Sequence, residues 1–423
     1  MGRMVRQLMF VSDAPSFGGA ERYIIAMALA ARRRGLDASI CWLPRPGCGQ
    51  AVFDIARENG IRLDVVDPRR TASLGGLARE FTAVLRRENP DGVIINACGR
   101  PRFWILPWLA RRVSVPAAWV HQMVDACDHR RLPARWLGGR LEGLHCWRLP
   151  QMLRHRLAGT GATAIVTLNA DDRERIVRWQ GVCRDKVFAI PHGVDCVRFE
   201  FDATGRQRWH HEWGIDAVSP RPFVVGAAGR LSREKGVDLL IEAASIARRE
   251  GLSLLLVIAG RGSEQDPLVR LAADRGLAGA IRFVSFVEDM PSFYSALDAF
   301  VLSSRTESFG LALAEAMACR RPVIATPTSG ATRQIRHLHN GWLLRGFEPS
   351  ELARAITALA ADVEGRRRMG GNGRESVMRC FSIELTLERT LRALRGSARE
   401  RSHLRWPGMN ESPFVSMTAE ECA

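Results

Sequence analysis

The segment Gly229-Arg230-Leu231-Ser232-Arg233-Glu234-Lys235-Gly236 sets two cations on either side of a turn, between an apolar strand pattern and an amphipathic helix pattern. Backbone N–H groups and the helix dipole favour an anion at such a place. A diphosphate would bridge Arg230 and Lys235, each charge-assisted hydrogen bond contributing about 1.5–3 kcal/mol. The usual phosphate-loop signatures do not fit. Lys235 is followed by Gly236 rather than Ser or Thr, and Gly260-Arg261-Gly262 reaches Gln265 where a dinucleotide loop has its third glycine. Taken singly, Arg230 could equally be a solvated turn residue. Lys235 is more informative, because Lys186 and Lys235 are the only lysines among 61 basic residues.

A second segment, Ser303-Ser304-Arg305-Thr306-Glu307-Ser308-Phe309-Gly310-Leu311, runs on to Glu315. It follows an apolar strand pattern and opens a helix near Gly310. A carboxylate can accept two hydroxyls at once, which suits a ribose or a hexose. The amides of Phe309, Gly310 and Leu311 at the helix start can meet a phosphate or a sugar hydroxyl. By itself Glu315 could be either a helix-surface acid or a ligand.

The elements that must position these residues repeat one plan: apolar strand, glycine-containing loop, amphipathic helix. It opens once at Val5–Ser12 with a helix from Ala20 to Arg34, and again at Pro222–Ala228 with a helix from Val237 to Arg249. Further strand patterns follow at Ala38–Trp42, Gly92–Asn96, Ala117–His121, Ala164–Leu168 and Val187–Ile190, then at Ser253–Ala259, Ile281–Val284, Ala299–Leu302, Pro322–Ala325 and Trp342–Leu344. Short apolar runs separated by helical segments predict an α/β chain of two doubly wound parallel-sheet domains. Such sheets bind ligands at the carboxyl ends of their strands, so two facing domains would place a site in an interdomain cleft. The expected boundaries are residues 1–192 and 193–380, with an irregular polar linker over about 193–221. A C-terminal helix over 381–401, crossing back to the first domain, and a disordered tail over 402–423 complete the reading.

The formal net charge of +16 admits nucleic acid, an anionic membrane or phosphorylated substrates as partners. Fifty-nine of the basic residues are arginine (61 less two lysines), a bias that reads as a codon habit. No nucleic-acid recognition motif accompanies the charge. The ten cysteines form no C-x-x-C pair and stand beside no histidine at zinc spacing, so reduced cysteines are expected. No apolar run approaches the roughly 18 residues needed to span a bilayer, and Leu8–Val11 is too short for a signal-peptide core. The expectation is a cytoplasmic protein. The stretch from Arg100 to Arg156 mixes many arginines with Trp104, Trp108, Trp136 and Trp147. It reads either as amphipathic helices packed inward or as a peripheral contact with an anionic inner membrane face.

Together the two motifs resemble family 4 glycosyltransferases of the two-Rossmann GT-B fold. The turn Gly229-Arg230-Leu231 to Lys235-Gly236 and the pair Glu307…Glu315 match in order and separation. Phe17-Gly18-Gly19-Ala20-Glu21-Arg22, Ile190-Pro191-His192-Gly193-Val194-Asp195 and Asn340-Gly341-Trp342-Leu343 add to the likeness. The resemblance implies a retaining transferase, of hexosyl type, that moves a sugar from a nucleotide diphosphate-sugar to a hydroxyl acceptor. It suggests bacterial surface-glycan, glycolipid or secondary-metabolite biosynthesis. It further implies that Arg230 and Lys235 neutralise the diphosphate, Glu315 binds the ribose and Glu307 meets the donor sugar. Ser308, Phe309, Gly310 and Leu311 would line the donor site, Gly19 would let the first loop approach the phosphates, and His121 would stand near the transferred sugar. No D-x-D pair occurs, so neither a metal nor another cofactor is expected. A sugar-nucleotide epimerase and a non-catalytic nucleotide-sugar binder are the alternatives.

Two positions depart from the family pattern. Arg320 stands where a glycine is common, a change read as tightening a turn. Arg333 stands where an acid is common, which points to altered donor choice and to a charged donor sugar.

Overall fold

The computed structural model describes residues 3–4, 6–12, 19–43, 54, 56–96, 101–121, 156–180, 182–395 and 404–405. The chain divides into two compact units, His192–Leu385 forming one and Met1–Pro191 with the segment from Thr386 forming the other.

The first unit contains a two-residue strand β1 (Arg3–Met4), then β2 (Gln7–Ser12), β3 (Asp37–Trp42), β4 (Arg62–Val65), β5 (Gly92–Asn96), β6 (Ala117–His121), β7 (Ala164–Thr167) and β8 (Val187–Ala189). Strands β2 to β8 form one sheet in the order β4-β3-β2-β5-β6-β7-β8, parallel throughout. Helices α1 (Gly19–Arg33), α2 (Leu74–Glu88), α3 (Leu106–Arg112) and α4 (Ala170–Gln180) connect the strands. Strands β5, β6 and β7 are buried along their whole length, as expected when helices cover both faces of a parallel sheet. Strand β4 escapes a hydrophobicity reading because Arg62 and Asp64 interrupt it at the sheet edge. Leu404–Arg405 pairs with β1, which corrects the expectation of a wholly disordered tail at those two residues.

The second unit holds β9 (Phe223–Ala228), β10 (Leu254–Ala259), β11 (Ile281–Val284), β12 (Ala299–Leu302), β13 (Val323–Ala325) and β14 (Trp342–Leu343). Their order is β11-β10-β9-β12-β13-β14, again parallel throughout. Its helices are α5 (Ala203–Glu212), α6 (Val237–Arg249), α7 (Gln265–Asp274), α8 (Met290–Ala296), α9 (Leu311–Ala318), α10 (Pro349–Ala361) and α11 (Val363–Cys380); α12 (Ile383–Leu394) runs from this unit into the first. Helix α6 buries Val237, Leu240, Ile241 and Ala244, the spacing of one helical face, against the apolar strands.

Helix α5 corrects the reading of the linker over about 193–221 as irregular. Asp202 caps it by accepting from the Gly205 N–H at 2.9 Å. Gly205 permits close packing: a Cβ there would lie 2.3 Å from Cβ of Ser292 on α8. Trp209 then donates through Nε1 to Ser292 Oγ at 3.0 Å.

Each sheet has one place where the strand order reverses direction, between β2 and β5 and between β9 and β12. Ligands of doubly wound sheets bind outside the carboxyl ends of the strands at that point. In the second unit, the two loops leaving β9 and β12 are the two motifs singled out above.

Candidate functional site

Strand β9 leads through Gly229, Arg230 and Leu231 into a single 3-10 turn, Arg233–Lys235, and then into α6. Gly236 joins turn to helix at φ +61°, and a Cβ on it would lie 2.1 Å from the Ser303 carbonyl oxygen. Only glycine satisfies both the left-handed backbone and this approach. The β9 loop is thereby pressed against the β12 loop. Ser303 Oγ reinforces the contact by donating to the Lys235 carbonyl at 3.1 Å, and Arg305 N donates to the Glu234 carbonyl at 2.7 Å.

Arg305 fixes the two loops more firmly. Its guanidinium grips Asp238 on α6 through two bonds, 2.8 and 2.6 Å, and Nη1 also donates to the Arg233 carbonyl at 3.0 Å. Burial pushes the Asp238 carboxyl up, but the hydrogen bond and charge of Arg305 prevail and hold it below its ordinary range. A planar bidentate pair of this kind fixes direction as well as distance.

The outcome is a contact between the motifs. Lys235 Nζ donates to Glu307 Oε2 at 2.6 Å, with both side chains partly exposed. Glu307 is steadied from behind, its carbonyl accepting from Gly330 N at 2.9 Å and from Ser329 Oγ at 3.0 Å. Arg230 is exposed on the same β9 loop. Ser308 follows Glu307. Phe309 is buried, with its ring edge-on to His192 at 5.8 Å and to Phe381 at 5.7 Å. Gly310 takes φ +87° and starts α9 at Leu311, and no side chain caps that helix start.

Glu315 is buried on α9 at 4% exposure, so it is not a helix-surface acid. A buried carboxylate requires polar partners, and Tyr294 on α8 provides one, its hydroxyl donating to Oε2 at 2.8 Å. Sequence reading missed Tyr294. The signal was available, since the chain has only two tyrosines.

Gly19 and His121 belong to the first unit. Gly19 opens α1 after β2, and His121 ends β6 at 7% exposure, its ring centroid 6.0 Å from that of Trp119. Both therefore lie at the carboxyl edge of that unit's sheet, whereas the remaining candidates gather at the carboxyl edge of the other. Among the described residues, no group of three or more His, Cys, Asp and Glu side chains could hold a metal ion.

Arg333 is half-buried just beyond the turn that carries Ser329 and Gly330 behind Glu307. Arg320 does more than tighten a turn: its backbone sits at φ +58°, the left-handed region where glycine is at ease. Of the stretch read as a membrane contact, residues 100 and 122–155 lie outside the described residues. At its start Phe103 is fully buried, and Trp108 donates through Nε1 to the Leu157 carbonyl at 2.7 Å. No helix among the described residues is long and apolar enough to cross a membrane.

The family profile described as Glycosyltransferase Family 4 matches residues 17–198, and that described as Glycosyl transferases group 1 matches residues 215–376. A D-inositol 3-phosphate glycosyltransferase of Xylanimonas cellulosilytica is 31% identical over 387 residues, which span 86% of this chain and 88% of that protein. The chain belongs to glycosyltransferase family 4. The lipopolysaccharide core biosynthesis glycosyltransferase LpsE of Rhizobium meliloti is 34% identical over 194 residues, 46% of this chain and 56% of that protein. Several such relatives are matched over only about half of their length. The fold of this family 4 member is GT-B. The crystal structure of HepE from Anabaena in complex with UDP and glucose matches it with a TM-score of 0.75 at 21% identity, over 92% of this chain and 99% of that one.

Proposed function

We propose that this chain is a retaining glycosyltransferase that takes a sugar from a nucleotide diphosphate-sugar and delivers it to a hydroxyl acceptor. The observation that carries the reading is the meeting of Lys235 and Glu307 at 2.6 Å, at the place where the strand order of the second sheet reverses. The UDP and glucose bound to HepE support a donor of this chemical class.

In this reading Lys235 exchanges Glu307 for the donor diphosphate, and Arg230 meets the same group from the exposed side of the loop. The start of α9, with no side-chain cap, adds amides at Gly310 and Leu311 that suit a phosphate or a sugar hydroxyl. Glu307, released from Lys235, turns to the hydroxyls of the donor sugar. Glu315, held by Tyr294, accepts from the ribose. As the glycosidic bond to the diphosphate lengthens, negative charge grows on the leaving phosphate, and fixed cations there lower the barrier. Lys235, Arg230 and backbone amides perform this role without a metal ion. The acceptor hydroxyl attacks the same face from which the diphosphate leaves and gives its proton to the departing phosphate, so the configuration is kept.

The half-buried Arg333 favours a donor sugar bearing a negative charge, and Arg333→Glu should change the donor profile. The acceptor is a glycan, glycolipid or small molecule. A glycolipid acceptor would suit a peripheral contact of the basic aromatic stretch with an anionic membrane, which flotation with anionic vesicles tests.

The deciding experiment incubates the chain with a panel of nucleotide diphosphate-sugars, reads protection against heat, and follows the best donor with hydroxyl acceptors by NMR. A new glycoside with the donor's anomeric configuration is expected. Donor conversion without any acceptor would replace this reading with an epimerase.

A further inference from the structure

Phe201, Asp298, Arg320, Arg321, Arg366 and Arg367 line a cavity of about 400 Å3 in the second unit. Asp298 immediately precedes β12, and Arg320 and Arg321 precede β13, so the cavity opens at the amino ends of the strands. Lys235 and Glu307 lie at the opposite ends of the same sheet. Four arginines and one acid line it, and that acid is already committed. Asp298 Oδ1 accepts from Arg206 at 2.8 Å and from Arg221 at 3.0 Å, while Oδ2 accepts from Val224 N at 2.9 Å.

Two of the four arginines are fixed. Arg321 donates to the carbonyls of Cys319 at 3.1 Å and Leu297 at 3.0 Å, with its guanidinium 4.7 Å over the Phe201 ring. Arg366 donates to the Ala360 carbonyl at 2.7 Å and stacks 5.0 Å over Phe223. The other two, Arg320 and Arg367, are exposed, and neither guanidinium makes a hydrogen bond or ion pair among the described residues. Arg320 adds its charge from a left-handed backbone at φ +58°, where glycine would be free of strain. The helix end imposes that backbone: Arg320 N donates to the Met317 carbonyl at 2.9 Å and Arg321 N to the Ala316 carbonyl at 3.0 Å, the common closure of a helix C-terminus.

We propose that this cavity is a second anion site, built for the phosphoryl group of a small phosphomonoester and separate from the donor site. Like charges crowded in a cavity repel one another, and a compact oxyanion relieves the repulsion. Planar guanidinium forks match the oxygens of a phosphoryl group in pairs. A volume of about 400 Å3 also admits the small organic body that carries the phosphate. Burial, aided by the neighbouring Arg206 and opposed by Asp298, pulls Arg321 down to about 10.

Thermal unfolding is to be followed while inorganic phosphate is titrated at constant ionic strength against chloride. Phosphate should raise the Tm of the native chain and of Lys235→Ala alike. In Arg320→Gly/Arg367→Gln the same response should need roughly 10- to 100-fold more phosphate. Arg320→Gly relaxes the backbone and Arg367 is exposed, so this variant should fold; Arg367→Gln alone repeats the test with a smaller loss. Sedimentation with vesicles containing phosphatidate separates the sources. Binding lost in the double variant places a lipid headgroup in the site, and no binding beside a phosphate response leaves a soluble ligand. A double variant that responds like the native chain, or a response that disappears in Lys235→Ala, would overturn the proposal. So would a native chain indifferent to phosphate.

Discussion

Lys235 Nζ and Glu307 Oε2 stand 2.6 Å apart, although the two residues come from loops on different strands. The pair is partly exposed, so its own contribution to stability is small. On the proposed reading its importance is competitive: a donor diphosphate and Glu307 are rivals for the same ammonium.

Removing the competitor should therefore separate binding from turnover. Glu307→Gln is expected to tighten binding of a nucleoside diphosphate by about 0.5–1 kcal/mol, the scale of an exposed ion pair, while transfer falls. Lys235→Ala should weaken both, with kcat/KM for transfer lowered by about 2–4 kcal/mol of transition-state stabilisation. Calorimetric titration beside steady-state kinetics measures the two effects. Equal loss of diphosphate affinity in the two variants would contradict the exchange.

Tyr294 and Glu315 form a buried pair, so its loss should register in stability as well as binding. Tyr294→Phe deletes a donor to a buried carboxylate and should cost about 1–3 kcal/mol in urea unfolding. Glu315→Gln keeps the shape and should weaken nucleotide binding more than it weakens the fold.

His192 introduces an acid sensitivity. Burial pulls its imidazole down to about 3 from the ordinary 6.5. Between these values the unfolded chain binds a proton that the folded chain refuses, so stability rises with pH across that window and falls on acidification. The loss should reach roughly 2 kcal/mol by pH 5. His192→Leu should flatten this part of the stability profile, and an unchanged slope would locate the sensitivity elsewhere.

Arg320 offers a gain. A left-handed backbone costs a non-glycine residue about 1–2 kcal/mol, and glycine loses about 0.5–1 kcal/mol of chain freedom on folding. Arg320→Gly should thus stabilise the chain by about 0.5–1 kcal/mol, read as a rise in urea midpoint without phosphate.

Regular repetition made most of the fold legible. Gly92–Asn96, Ala117–His121 and Ala299–Leu302 read as strands because each is a short, mainly apolar run, and each is a strand with those bounds. Edge strand β4 and helix α5 were hidden for opposite reasons. The first carries charges where one face meets water, and the second contains a glycine selected for packing rather than for a turn. At the candidate site, Lys235 stood out because lysine is rare in this chain, and Glu307 through its spacing to Glu315. Tyr294 and the Arg305–Asp238 clasp did not, since their meaning lies in contacts across the sequence that no local pattern encodes. Arg320 was seen as a departure, but its left-handed backbone required the structure.

The scarcity of lysine gives this chain an experimental handle. Reductive methylation with labelled formaldehyde keeps the positive charge of an amine and adds a methyl reporter. Only two side-chain amines can take it, and Lys186 sits in the first unit, donating to the Ala162 carbonyl at 3.3 Å. The other lysine resonance would come from Lys235, 2.6 Å from its acid. One NMR line could then follow the departure of Glu307 as candidate donors are added, in a protein of 47.0 kDa, without isotope labelling of the backbone.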